Sequence, residues 1–271
     1  MRFALGLLLV ATLCAFQQPF KQYPGIEHFT YPIPPDYQEK TEFAFARMMF
    51  PPGWNNGYAG RDDDWHTGIS LWSQDFPAAD RHFSLAVRRL SRVHARSVEQ
   101  VVNLDDGDEV YNWPWLYAVQ VGEWGITDSQ AAKLRDYCLH GGFFMADDFH
   151  GATEWGVFEE SMHRVFPDRP IIDIDDKDPI FHTVYDLDDR IQIPGQAHLR
   201  LGYKQDHPGV DGKGAHWRGI FDDRGRVMIA ISYNSDIGDA WEYADDPYYP
   251  EKFAGLAIRI GVNYILYAMT H

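Results

Sequence analysis

Asp147-Asp148-Phe149-His150 sets two carboxylates and an imidazole within four residues, directly after the apolar run Phe143-Phe144-Met145-Ala146 and directly before Gly151. Three other segments carry similar side chains: Asp62-Asp63-Asp64-Trp65-His66, Glu123-Trp124, and the set Asn234, Asp236, Asp239, Trp241 and Glu242. Such carboxylates can hold a hard cation such as Ca2+ or Mg2+, and His150 widens the choice to Mn2+ or Zn2+. They can serve as an acid and base pair across a glycosidic bond. They can also bind a cationic or hydroxylated ligand while tryptophan faces stack on it. The candidates for catalysis are Asp147, Asp148 and His150. Those for ligand binding are Asp62, Asp63, Asp64, Trp65, Glu123, Trp124, Asp236, Asp239 and Trp241. Each acid also has a plainer role open to it. Asp147 or Asp148 can cap the helix that follows, and Asp62 to Asp64 can form a solvated turn.

The elements that would position these residues follow from periodicity. Residues 143–146, bounded by Gly141-Gly142 and by the acids, suit a strand buried on both faces. Other strands are expected over 41–50, 98–104, 114–121 and 171–174. The segments 219–221 and 226–232 flank Asp222-Asp223-Arg224-Gly225 as a hairpin. Helices are expected over 77–94, from the capping box Thr127-Asp128-Ser129-Gln130 to Gly141, over 154–166 and over 253–270. Residues 51–76, 175–213 and 233–252 read as long loops. Strands that alternate with helices predict an α/β fold with a doubly wound, mainly parallel sheet. In such a sheet the βα loops emerge on one edge, where ligands bind. The four acidic segments therefore converge on one rim.

Composition narrows the partners. The chain has 271 residues and a net charge of −16, which opposes nonspecific binding to nucleic acid. Small-molecule, glycan and protein ligands stay open. Residues 1–15, with Arg2 ahead of the apolar stretch 3–13, read as a signal peptide, so the protein is expected to be exported, to a periplasmic or extracellular location. No later segment approaches the length of a membrane span, so none is expected after cleavage. Residues 16–40, with five prolines, read as an extended arm or linker, and residues 41–271 as one domain. No cofactor is identified: there is no phosphate-binding glycine loop and no Gly-x-Ser-x-Gly elbow. A divalent cation is within the chemistry of the acids.

The segment Gly141-Gly142-Phe143-Phe144-Met145-Ala146-Asp147-Asp148 after its capped helix resembles the domain-of-unknown-function family 4159 (DUF4159). So, in order, do Val165-Phe166-Pro167-Asp168, Asp178-Pro179-Ile180-Phe181-His182, Gly219-Ile220 to Gly225-Arg226, Ser235-Asp236-Ile237-Gly238-Asp239-Ala240-Trp241 and Gly261-Val262-Asn263-Tyr264. The likeness spans roughly residues 42–270. It implies a three-layer, flavodoxin-like fold similar to class I glutamine amidotransferase domains, in a bacterial exported or membrane-associated protein of unestablished activity. It transfers no catalytic residues. Amidotransferases place a nucleophilic cysteine at the turn after a central strand, supported by a His and Glu pair near the C-terminus. Here Asp147 and Asp148 stand at that turn, Cys138 lies in the preceding helix, and no His-x-Glu pair occurs near the end. Three expectations follow. The domain binds a ligand or protein at the acidic rim, without glutaminase chemistry; or it is a metal-assisted or acid–base hydrolase of a sugar or cell-wall polymer; or it is a scaffold subunit of an envelope complex.

Overall fold

A computed structural model describes residues 19–53, 64–202 and 214–271. The expected signal peptide, and with it Asp62 and Asp63, lie outside the described residues.

Among the described residues, seven strands form one mixed sheet. In chain order they are β1 (Ala46–Met49), β2 (Gln100–Asn103), β3 (Trp115–Ala118), β4 (Phe143–Ala146), β5 (Ile172–Asp173), β6 (His216–Phe221) and β7 (Val227–Tyr233). Their spatial order is β2-β1-β3-β4-β7-β6-β5. The first five in that order run parallel, and β6 pairs antiparallel with both β7 and β5. The α/β expectation holds, as does the hairpin around residues 222–225. The helices are α1 (Ala78–Leu90), α2 (Asp128–Leu139), α3 (Gly151–Val165), α4 (Gln196–Arg200), α5 (Ile237–Glu242) and α6 (Glu251–Thr270).

The strands read as uninterrupted apolar runs because both faces of the sheet are covered. In β4, Phe143 and Met145 enter the core built with α1, α5 and α6. Phe144 and Ala146 enter the core built with α2 and α3. Trp115 and Tyr117 in β3 divide from Leu116 and Ala118 in the same way, as the period of two requires. The helix after Thr127 starts as the capping box predicts: Thr127 accepts from Gln130 N while Gln130 Oε1 accepts from Thr127 N.

Four expectations change, and the first is the loop read over 175–213, which contains α4 (Gln196–Arg200). The strand read over 41–50 shortens to β1, and Phe43 makes only an isolated bridge to Ala95. The loop read over 233–252 contains α5, started by the Asp236 side chain, which accepts from Asp239 N. Finally, α6 is long and apolar enough to cross a membrane by length and composition, contrary to the sequence reading. In this fold 67% of its most apolar window is buried, against the sheet, α1 and α5.

Residues 19–40 form no helix or strand, yet they are held to the domain along their length. Arg81 donates to the Pro32 carbonyl, Arg88 pairs with Asp36, and Gly25 packs against the Phe76 carbonyl so closely that a Cβ there would stand 2.2 Å from it.

Candidate functional site

The carboxyl ends of β3, β4 and β7 are each followed within two residues by a non-glycine residue in the left-handed region: Gln120 (φ +53°), Asp148 (φ +51°) and Asn234 (φ +60°). Asp75, at the end of the loop from β1 to α1, is a fourth (φ +61°). Such residues cost on the order of 1–3 kcal/mol each and persist where the surroundings over-determine them. Here the surroundings are mutual contacts. Gln120 Nε2 donates to Asp148 Oδ2 at 2.7 Å. Asn234 accepts from Gly151 N with its side chain and donates its own amide to the Phe149 carbonyl. The turn after β4 is thus locked to both neighbouring strands.

Asp147 is fully buried. Its Oδ2 accepts from Tyr117 Oη, Ile237 N and Gly238 N, all at 2.9 Å. Burial pushes its carboxyl up to about 7, against the opposing pull of those donors and of the Asp148 amide. Asp147 therefore fastens the start of α5 to β4. Asp148 faces the rim beside Gln120, and His150 Nδ1 stands 3.6 Å from its Oδ1. The His150 amide donates to Glu154 Oε2 as α3 begins.

Fastened in this way, α5 carries Asp236, Asp239 and Glu242 to the rim, where they meet Asp75. Carboxylate oxygens of Asp75, Asp236 and Asp239 lie within 4.8 Å of one another, and so do those of Glu27, Asp75 and Glu242. Asp75 belongs to both groups. Burial, then the charges of Asp239, Glu242 and Asp148, raise its carboxyl well above the ordinary range. Asp236 is raised by burial and by Asp148, Asp239 and Asp75. Glu242 is pushed to about 8, by burial and then by Glu27 and Asp239. The loop bearing Asp75 is tied down by Arg47 of β1, whose guanidinium donates to the carbonyls of Trp72 and Gln74 and pairs with Asp80. Gly238 lets α5 approach: a Cβ there would meet Asp75 Oδ2 at 2.3 Å and Tyr117 Oη at 2.8 Å.

Of the residues singled out by sequence, the structure brings together Asp147, Asp148, His150, Asp236 and Asp239. Glu123 and Trp124 fall elsewhere, beside a cavity of about 550 Å3 lined also by Gly53, Glu160 and Arg164. Trp124 is 2% exposed and stacks between Phe144 and Phe158. Trp241 is wholly buried, with its ring 4.1 Å from that of Phe83. Neither offers a face to a ligand. Asp64 is exposed and caps a short 3-10 turn, accepting from His66, whose ring stacks on Trp65. Sequence reasoning passed over Asp75 and Glu27. Asp75 stands just ahead of Pro77 and α1, where an aspartate suggests a cap, and Glu27 lies in the proline-rich arm. Glu27 accepts from Gln74 Nε2 and from the Asp75 amide, and His28 Nε2 sits against Glu242 Oε1.

A large cavity of about 810 Å3 opens at the opposite edge of the sheet, around Tyr111, Trp113, Tyr137, His140 and Gly142, away from the acidic rim. A family profile described as a domain of unknown function (DUF4159) matches residues 66–269. No curated protein matches the chain.

Proposed function

The chain belongs to the DUF4159 family, whose description assigns no activity, and we propose that this is an exported, amidotransferase-like domain that binds a ligand at the carboxyl rim of β4 and β7 and performs no glutamine hydrolysis. The observation that carries this is Asp148. It has φ +51° at a strand-to-helix turn, the backbone geometry that α/β enzymes use to present a nucleophile. An aspartate stands there, hydrogen-bonded by Gln120, in place of a cysteine. The chain's second cysteine, Cys138, is buried in α2, and burial pushes its thiol up to about 12, where it has no nucleophilic fraction at neutral pH.

The parallel strands run in the order β2-β1-β3-β4-β7, which supports the flavodoxin-like expectation, with β6 and β5 added at one edge. Export rests on the character of residues 1–15. For a scaffold role Trp124 and Trp241 offer the rim no exposed face: both are buried, and the exposed aromatics Phe29 and Tyr248 lie in the arm and in the loop before α6.

The test is turnover. The purified protein is incubated with glutamine and, separately, with peptidoglycan sacculi, and ammonia and reducing ends are measured. The reading expects neither product. Release that disappears in Asp148→Asn while sacculi still co-sediment with the variant would overturn it in favour of a hydrolase.

A further inference from the structure

Asp75 is 1% exposed, and its Oδ2 is buried without a hydrogen-bond partner. Leaving a buried carboxylate oxygen unpaired is costly, and native proteins do so rarely outside sites that complete themselves with a ligand. This oxygen lies against Gly238 of α5, where a Cβ would stand 2.3 Å from it, and Asp75 belongs to the acids gathered around α5, with Asp236 and Asp239 on one side and Glu242 and Glu27 on the other. The two sides differ. On the Glu242 side His28 of the arm meets Glu242 Oε1, and Gln74 Nε2 and the Asp75 amide donate to the two oxygens of Glu27, while Glu242 Oε2 is buried without a partner. On the other side, Asp236 and Asp239 are oriented by backbone amides. Asp239 N donates to Asp236 Oδ1 and Gln196 N to Asp239 Oδ2, which fixes the planes of both carboxylates.

We infer that Asp75, Asp236 and Asp239 form a site for one hard divalent cation, of the Ca2+, Mg2+ or Mn2+ class. The three carboxylates offer oxygen donors, which suit hard cations, and His198 Nδ1 lies beside Asp236 Oδ2 and Asp239 Oδ2 next to Gly195. Three carboxylates on two separate elements, with Gly238 cleared so that Asp75 can reach α5, are held before any ion arrives. The amides that orient Asp236 and Asp239 supply the outer support that metal sites need. A cation there is also the natural anchor for an oxygen-rich ligand at the rim. The site deepens the binding reading above and rests on it for its purpose.

The experiment uses the full chain, stripped with EDTA, dialysed, and titrated with Ca2+, Mg2+ or Mn2+ alone by calorimetry, with thermal melting read alongside. The expected result is one ion per chain for at least one of the three, and a melting midpoint that climbs with its concentration. Asp75→Asn is expected to weaken that binding by more than about tenfold, since loss of an outer-shell partner alone costs about 10–100-fold. The same variant should melt, metal-free, no lower than the unaltered chain, because a neutral amide replaces a buried carboxyl crowded by like charges. Glu123→Gln, beside a different cavity, should bind normally. If Asp75→Asn does not fold, Asp239→Asn takes its place with the same expectation. Absence of binding by all three cations overturns the site, and so does unchanged affinity in the variant; the carboxyls would then be neutralised by protons alone. Either failure leaves the turnover result untouched, and release of ammonia from glutamine would overturn the earlier reading without affecting this one.

Discussion

Arg47 and Asp80 are both wholly buried, on β1 and in the first turn of α1. The guanidinium pairs with both carboxylate oxygens, donates to the carbonyls of Trp72 and Gln74, and lies 4.9 Å over the Tyr117 ring. Removing one partner leaves an uncompensated charge in the core, which costs about 3–5 kcal/mol. Asp80→Leu strands the guanidinium, and Arg47→Met strands the carboxylate together with two carbonyls. The double variant removes both charges. Its remaining cost is the two undonated carbonyls, about 1–3 kcal/mol apiece, partly offset by apolar packing. The singles should therefore overshoot, and the double should cost less than their sum by about 2 kcal/mol or more. Urea unfolding of the four proteins at neutral pH closes the cycle. High salt should leave the coupling in place, because the pair is shielded from solvent. Effects that add to within about 0.5 kcal/mol would refute the reasoning, since that is the behaviour of independent sites. Arg47→Met should also weaken cation binding, because the carbonyls it releases belong to the loop that aims Asp75.

Gly261 of α6 lies against Phe83 and Trp241; a Cβ there would come within 2.4 Å of the Phe83 ring, so Gly261→Ala should cost about 1–3 kcal/mol in urea unfolding despite its better helix propensity. Cys138 should resist iodoacetamide in the native protein at pH 8 and react promptly in urea, as mass spectrometry would read; fast native labelling would contradict the buried thiol. Asp147 has a folded pKa raised from 3.8 to about 7, so its folded form binds the proton more tightly than the unfolded chain, and its contribution is present at low pH and lost as pH climbs through that window. Asp147→Asn, measured in EDTA, should gain stability relative to the unaltered chain by up to about 1.4 kcal/mol per pH unit between those values and hold a constant difference above them. A difference flat with pH would mean that the donors from Tyr117, Ile237 and Gly238 keep the carboxylate charged throughout.

Local pattern alone was enough to locate much of this protein. The Thr127–Gln130 capping box, the hairpin and the C-terminal helix are each written in consecutive residues, because hydrogen bonds in helices and tight turns join near neighbours, and the strand Phe143 to Ala146 shows as an unbroken apolar run because both of its faces are buried. The rim followed from them, since a parallel sheet sends every βα loop to one edge. Tertiary structure decided the rest. Trp124 and Trp241 went into the two cores instead of the rim, because burial of large rings against Phe144 and Phe83 outweighs what a solvated face would gain. The apolar length of α6 was taken up by the sheet and two helices. The acids that meet at Asp75 come from the arm, the loop before α1 and the helix after β7, separated by up to 215 residues, 27 to 242. No periodicity links positions so far apart. Only the closing of the chain brings their like charges together, and what balances those charges is a property of the folded rim alone.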